Sequence, residues 1–331
     1  MQNKQSILVT GGAGFIGSNL CEKLISLSYL VICLDNFDTF YSEEIKRRNI
    51  KNLLSNQNFL LITGDIRDNS LLNDIFLKYN IDLVIHLAAK AGIRNSFIDP
   101  LEYFDVNVSG SICLLEAMKK NKVRNLIFTS SSSVYGKSHS KLIETDSCDS
   151  QVSPYAVSKR SIELINYSYY INSGFNVINL RLFSVFGKNQ RPDLVIHKFF
   201  NQIFSDLPVE IYGDLNISRD FTYISDVLNA VNSSVKLIQE SENNIYEIIN
   251  IGNDNPTTIG QLIRLIEREI PDKDIKIINR DFNRCEAFQT HADINKAKKL
   301  LNYQPQTSLE EGIKLFSNWY RENQNNSIWK S

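Results

Sequence analysis

The first apolar run of this chain, Ile7–Thr10, leads straight into Gly11-Gly12-Ala13-Gly14-Phe15-Ile16-Gly17. Few features restrict a fold more. A strand that ends in G-x-x-G-x-x-G and opens an amphipathic helix is the start of a βαβ unit shaped to carry phosphate. Gly11 can turn tightly, Gly14 lets the backbone approach a pyrophosphate, and Gly17 lets the helix pack close to the strand. Phe15 and Ile16 lie in the first helical turn, where free N–H groups and a partial positive charge face any bound anion.

The rest of the chain continues that unit. Apolar runs at 30–34, 59–63, 83–86, 126–129 and 177–180 read as strands. Helical patterns at 16–27, 44–54, 70–78, 100–120 and 154–170 separate them. The runs are near-continuously apolar, as strands buried on both faces require. Their order predicts an α/β fold, a Rossmann-type doubly wound parallel sheet. After residue 180 the rhythm breaks. Short strands at 209–212, 221–223, 246–250 and 275–278 mix with helices at 195–204, 225–238, 259–270, 295–301 and 309–322. The pattern predicts a cofactor-binding domain over 1–180 and a smaller mixed α/β C-terminal lobe over 181–331, with an interleaved boundary.

Composition excludes several classes of partner. Lys plus Arg number 36 against 37 for Asp plus Glu. Neither half is a basic lobe, so neither nucleic acid nor an anionic membrane has an electrostatic case. No apolar run reaches the ~18 residues of a membrane span. The five cysteines (Cys21, Cys33, Cys113, Cys148 and Cys285) are widely spaced, which argues against a disulfide framework or a metal knuckle. No signal-peptide core precedes the first strand, and a cytoplasmic protein is expected.

Two groups of residues carry chemistry. The second strand ends in Leu34-Asp35-Asn36. A carboxylate there can accept from both hydroxyls of an adenosine ribose and would repel a 2′-phosphate, which favours NAD over NADP. Asp65, in Gly64-Asp65-Ile66, is placed to meet an adenine amino group or to cap the next helix. The small residues of Leu87-Ala88-Ala89 let the backbone pass close to a cofactor, while His86 reads as a packed strand-end residue. The second group is Tyr155-x-x-x-Lys159. Positions i and i+4 share a helix face, and an ammonium beside a phenol lowers its pKa, so Tyr155 can act as a base. Thr129-Ser130-Ser131-Ser132-Ser133 follows the fifth strand, on the side of an open α/β sheet where ligands bind. One hydroxyl there can relay a substrate proton.

Together these residues resemble the extended short-chain dehydrogenase/reductase family and, within it, the nucleotide-sugar epimerases. Further markers are Asn107 in Val106-Asn107-Val108, the run Arg181-Leu182-Phe183-Ser184-Val185-Phe186-Gly187, and Ser218-Arg219-Asp220-Phe221. The resemblance implies that Tyr155, Lys159 and Ser131 are catalytic, and that Asn36, Ile66 and Asn107 join the NAD site. It implies a UDP-sugar substrate, with Arg219 on the pyrophosphate and Tyr212 near the uracil. It also implies a second arginine, Arg284 or its substitute Arg280. Dehydratases of the family carry acidic residues in the serine stretch, and its decarboxylases place a Glu at the position of Ser133. Here Ser131-Ser132-Ser133 holds no carboxylate, which favours epimerisation at C4.

Three features resemble the uronate branch of these epimerases. They are Arg94 in Gly92-Ile93-Arg94, Arg191 in Gly187–Phe199, and Asn36–Tyr41 followed by Ile45-Lys46-Arg47-Arg48. Ser184 stands where neutral-sugar epimerases carry Asn, and with Ser132 and Ser133 it could hold a C6 carboxylate by charge-assisted hydrogen bonds. The expected reaction is therefore conversion of UDP-glucuronate to UDP-galacturonate. The alternatives are a 4-epimerase of UDP-glucose, UDP-N-acetylglucosamine or an N-acetylhexosaminuronate, a dehydratase or decarboxylase, and a non-catalytic NAD-binding regulator. The resemblance also implies a homodimer built on the helices at 100–120 and 154–170.

Overall fold

The computed structural model describes residues 4–137, 140–281 and 287–323. Its centre is a seven-stranded, wholly parallel sheet. The strands, in chain order, are β1 (Ser6–Thr10), β2 (Leu30–Asp35), β3 (Phe59–Thr63), β4 (Leu83–His86), β5 (Asn125–Ser131), β6 (Asn176–Leu182), β7 (Ser184–Phe186), β8 (Val209–Tyr212), β9 (Ser218–Tyr223), β10 (Tyr246–Ile251), β11 (Pro256–Thr258) and β12 (Ile277–Arg280). The large sheet runs β10-β6-β5-β4-β1-β2-β3. Chain order reverses between β1 and β4, which opens a crevice at the carboxyl ends of those two strands.

Eleven α-helices surround the sheets among the described residues: α1 (Phe15–Ser26), α2 (Glu43–Ile50), α3 (Asn69–Lys78), α4 (Pro100–Phe104), α5 (Gly110–Lys120), α6 (Pro154–Ser173), α7 (Val195–Phe204), α8 (Ile224–Glu240), α9 (Ile259–Glu269), α10 (Asn295–Leu301) and α11 (Leu309–Asn323). Two apolar layers cover the large sheet. Leu20, Leu24, Val227, Val231 and Val235 pack on one face; Leu72, Ile75, Leu114, Met118 and Ile162 pack on the other. A third core, with Phe199, Phe200, Ile263, Ile266, Ile313 and Phe316, fills the C-terminal lobe.

Helix α6 carries the Tyr-Lys pair and is firmly delimited. Ser153 caps its start by accepting from the Ala156 amide at 3.1 Å. Pro154 follows at a position where its missing N–H costs nothing. Gly174, at φ 64°, ends the helix in the left-handed conformation.

Three details depart from the sequence pattern. The single helix expected over 100–120 is broken by a π-helical segment at Asp105–Ser109, a widened turn of the kind often found at functional sites. The strand at 246–250 does not stay in the C-terminal lobe: as β10 it pairs with β6 at the edge of the large sheet. The chain also changes sheets within two residues. β6 ends at Leu182, and β7 begins at Ser184 in a three-stranded sheet ordered β11-β9-β7.

Candidate active site

The crevice is a cavity of about 500 Å³ that runs from the Gly-rich turn to the junction of β6 and β7. Its floor is built by close approaches that only glycine permits. Gly11 has φ +71°, and a Cβ there would lie 2.7 Å from the Ala88 amide nitrogen. The turn after β1 and the loop after β4 therefore touch backbone to backbone. A Cβ at Gly17 would lie 2.2 Å from the Gly11 carbonyl oxygen, so α1 starts directly against the turn. Phe15, Ile16 and Gly17 line the cavity at the start of α1, and no side chain caps that helix end. Its amides remain available to an anion.

Asp35 holds the turn in place. Its carboxylate accepts from the Ala13 amide at 2.9 Å and the Phe37 amide at 2.8 Å. Asp65 does not cap a helix; Asp68 caps α3 instead. Arg67 grips Asp65 through Nε and Nη2 at 2.9 and 2.8 Å, and Asn36 donates to it at 2.9 Å. The Arg67 hydrogen bonds outweigh partial burial and hold the Asp65 carboxyl down at about 2. Asp35, Asn36, Asp65, Ile66, Leu87, Ala88 and Ala89 all line the cavity with Gly11 and Gly14. This cradle has the dimensions and donor set of a dinucleotide site.

At the other end lie the hydroxyls. Ser131, Ser132, Ser133, Tyr155, Lys159 and Ser184 line the cavity together. The Tyr155 phenol is hydrogen-bonded to Ser131, whose Oγ also accepts from Ser133 Oγ at 2.9 Å. Burial pushes the phenol above its ordinary value, against the Ser131 bond and the positive charge of Arg191, which act to lower it. Lys159, expected beside the phenol from the helical spacing, has its hydrogen bond elsewhere. Its ammonium donates to the Thr129 carbonyl at 2.8 Å and lies 4.8 Å from the Phe128 ring centre. Burial brings Lys159 down to about 7, partly offset by Glu163. His86 bonds Thr10 at 2.7 Å and Ser111 at 2.9 Å, and burial keeps it neutral with a pKa of about 3. It packs, as the sequence suggested.

The expected substrate residues divide into three groups. Arg191 and Arg219 line the cavity. Arg191 forms two bonds to Asp193, at 2.9 and 2.6 Å, and its guanidinium lies 5.0 Å from the Phe40 ring centre. Arg94 and Tyr212 are not among the described residues lining the cavity; Arg94 stacks on the Tyr212 ring at 3.9 Å. That contact ties the loop after β4 to the end of β8. Arg280 bonds Glu210 at 2.8 Å. Arg284 lies outside the described residues.

Asn107 is not among the described residues that line the cavity. It sits in the π-helical turn, buried. Its amide donates to the Lys90 carbonyl at 3.0 Å and Ser158 Oγ at 2.9 Å, and its oxygen accepts from the Lys90 amide at 2.7 Å. Through these bonds Asn107 ties the cavity-lining segment at Lys90 to α6. Tyr41 and Lys46, which enter the sequence reading only as part of a resemblance, also line the cavity, as do Lys90, Gln190 and Asp193, which carry no assigned role there. Their loops carry no pattern that distinguishes a lining side chain from a surface one.

The chain is similar to known proteins over nearly its whole length. A family profile described as GDP-mannose 4,6 dehydratase matches residues 8–316. A UDP-glucuronate 4-epimerase of Thermodesulfobacterium geofontis is 39% identical over 317 residues, 96% of each chain. The crystal structure of the UDP-glucuronic acid 4-epimerase of Bacillus cereus, in complex with UDP-glucuronic acid and NAD, superposes with a TM-score of 0.90 at 36% identity and covers 96% of this chain and 99% of that one. A UDP-glucose 4-epimerase of Thermotoga maritima with UDP-glucose superposes with a TM-score of 0.85 at 32% identity, covering 97% and 100%.

Proposed function

We propose, from the premise that the chain belongs to the extended short-chain dehydrogenase/reductase family, that it is an NAD-dependent isomerase converting UDP-glucuronate to UDP-galacturonate. One observation carries the reading most directly. Tyr155, Ser131 and Ser184 open onto one cavity whose serine turn holds no carboxylate. Proton removal at a sugar hydroxyl is provided for; elimination of a C6 hydroxyl is not.

NAD, when bound against the Gly-rich turn, supplies reversible hydride acceptance at sugar C4. Burial holds the Tyr155 phenol up in the free protein; the positive nicotinamide ring of bound NAD would draw it down, so that Tyr155 removes the O4 proton through Ser131 and later returns it. The 4-keto sugar turns over between the two transfers and is reduced on its other face, so net redox is zero. A 4-keto uronate is a β-keto acid, which loses CO2 when its C5–carboxylate bond stands perpendicular to the carbonyl plane. Ser184, with Ser132 and Ser133, holds the carboxylate out of that alignment. Replacing Ser184 with Ala is expected to raise the ratio of decarboxylated UDP-pentose to epimer several-fold; an unchanged ratio removes this role.

Incubation with UDP-glucuronate, UDP-galacturonate, UDP-glucose and UDP-N-acetylglucosamine, without added NAD, tests the reading. The two uronates should interconvert with no lasting change in NADH absorbance. The likeness to a UDP-glucose 4-epimerase supports a second reading, epimerisation of neutral UDP-sugars; selective turnover of UDP-glucose would establish it. Homodimerisation is part of the proposal. Leu101, Leu164 and Ile171 are exposed on α4 and α6, and a second copy would cover them. So is action in the cytoplasm, supported by the unpaired Cys21, Cys33, Cys113 and Cys148. Among the described residues no helix is long and apolar enough to cross a membrane.

A further inference from the structure

The loop between β2 and α2 brings an unsatisfied hydroxyl to the cofactor cradle. The Tyr41 oxygen is sealed from solvent, and it has no hydrogen-bond partner among the described residues. Its position is specific: a Cβ built on Gly14 would point toward it, at 3.8 Å. Gly14 is the residue before α1, so Tyr41 overhangs the uncapped amides at the start of that helix. A buried hydroxyl without a partner is destabilising, and a ligand oxygen held at those amides would remove that cost. Burial raises the phenol well above its ordinary value, with Asp35 and Asp193 acting the same way and Arg191 opposing them. The group therefore stays protonated and can donate.

Lys46 stands behind it. This lysine is only 7% exposed, and its ammonium lies 4.9 Å from the Tyr41 ring centre. Its hydrogen bond goes to a backbone carbonyl, Asp38 O, at 2.6 Å. Asp35 and Asp38 on one side and Lys90 and Arg191 on the other set its local field. A buried cation behind a tyrosine whose hydroxyl overhangs a helix start is an arrangement that accepts an anion.

We propose that Tyr41 and Lys46 form the far wall of the cofactor's pyrophosphate site: Tyr41 donates to a phosphate oxygen held over the Phe15, Ile16 and Gly17 amides, and Lys46 supplies the matching charge. This inference rests on the NAD reading above and adds what retains the cofactor between turnovers. An epimerase that returns its hydride gains nothing from releasing NAD.

The test is exchange of labelled NAD out of the holoenzyme, chased with unlabelled NAD, together with displacement of labelled NAD by adenosine, which lacks phosphate. Tyr41→Phe keeps the ring over Lys46 and removes only the donor. It should speed NAD loss about tenfold, the scale of one charge-assisted hydrogen bond; Lys46→Gln should do the same. The dissociation constant of adenosine should not change. If both variants hold NAD as wild type does, or lose adenosine and NAD equally, the inference is wrong. Should Lys46→Gln fail to fold, Tyr41→Phe alone decides. A wild-type protein that binds no NAD overturns the cofactor reading itself, which is a separate result.

Discussion

Tyr155→Phe is expected to lower kcat by about 10³–10⁴-fold, with little change in KM. General acid–base catalysis by a positioned side chain contributes about 10²–10⁴-fold, and in the proposed reaction one phenol serves both proton removal and proton return. Ser131 cannot replace it, because the serine hydroxyl bonded to the phenol ionises far less readily than a phenol does. The substituted ring keeps its edge-on contact with Tyr103, whose centre lies 6.4 Å away, so the fold and the cavity survive. Interactions made only in the transition state appear in kcat and not in KM. The measurement is steady-state conversion of UDP-glucuronate followed by product NMR, with NAD content checked alongside. A variant that keeps a tenth or more of the wild-type kcat would remove Tyr155 from the reaction.

The largest stability effect is expected beneath the same helix. Glu163 and Arg181 form an ion pair whose side chains are 0% and 1% exposed. Arg181 donates to both carboxylate oxygens, at 2.9 and 2.8 Å, Ser130 donates at 2.6 Å, and Arg160 at 2.9 Å. Breaking a buried pair by removing one partner costs about 3–5 kcal/mol, so Glu163→Gln should lower the urea midpoint sharply at neutral pH. The pH dependence has a fixed sign. Burial alone would raise the Glu163 carboxyl, but the bonds from Arg181, Ser130 and Arg160 outweigh it and hold it below its ordinary value. A carboxyl depressed in the folded state adds stability above its unfolded pKa of about 4.3 and loses it as pH falls through the folded value. The gap between wild type and Glu163→Gln should therefore be full at pH 7 and narrow below about pH 4. A gap independent of pH, or a variant as stable as wild type, would show that the pair is not ionised in the fold.

Ser130 links this pair to catalysis by position. It is the residue before Ser131, and Glu163 is one turn after Lys159 on α6. The ion pair thus fixes the serine turn and the catalytic helix to the same strand, β6, which carries Arg181.

The cofactor half of the site was legible because its chemistry lies in contiguous segments. The Gly11–Gly17 turn, Asp35 and Asp65 each sit at the end of an apolar run, and strand ends are where an open sheet binds ligands. The substrate half was less legible. β7 and β11 span three residues each, too few for alternation to show. β10 has the composition of a lobe strand, yet it joins β6 because pairing depends on distant contacts that no local pattern encodes. Asn107 is buried within a π-helical turn, and a helical period cannot register a single widened turn. Tyr41 was visible only as part of a resemblance; its role depends on Gly14, far away in the chain and close in space.

The return of β10 to the large sheet also governs how the molecule can be divided. A chain cut after Leu182 would keep the glycine turn, the serine row and Tyr155, yet it would leave β6 as an uncovered edge. Val177, Ile178 and Leu180 on that strand are fully buried, and a bare apolar edge strand recruits other chains. Helix α8 would go too, and with it Val227, Val231 and Val235, which cover one sheet face. No severable nucleotide-binding module exists in this architecture. Whatever sugar-binding part selection reshapes, it must reshape while α8 and β10, both beyond Leu182 in the chain, hold the cofactor platform closed.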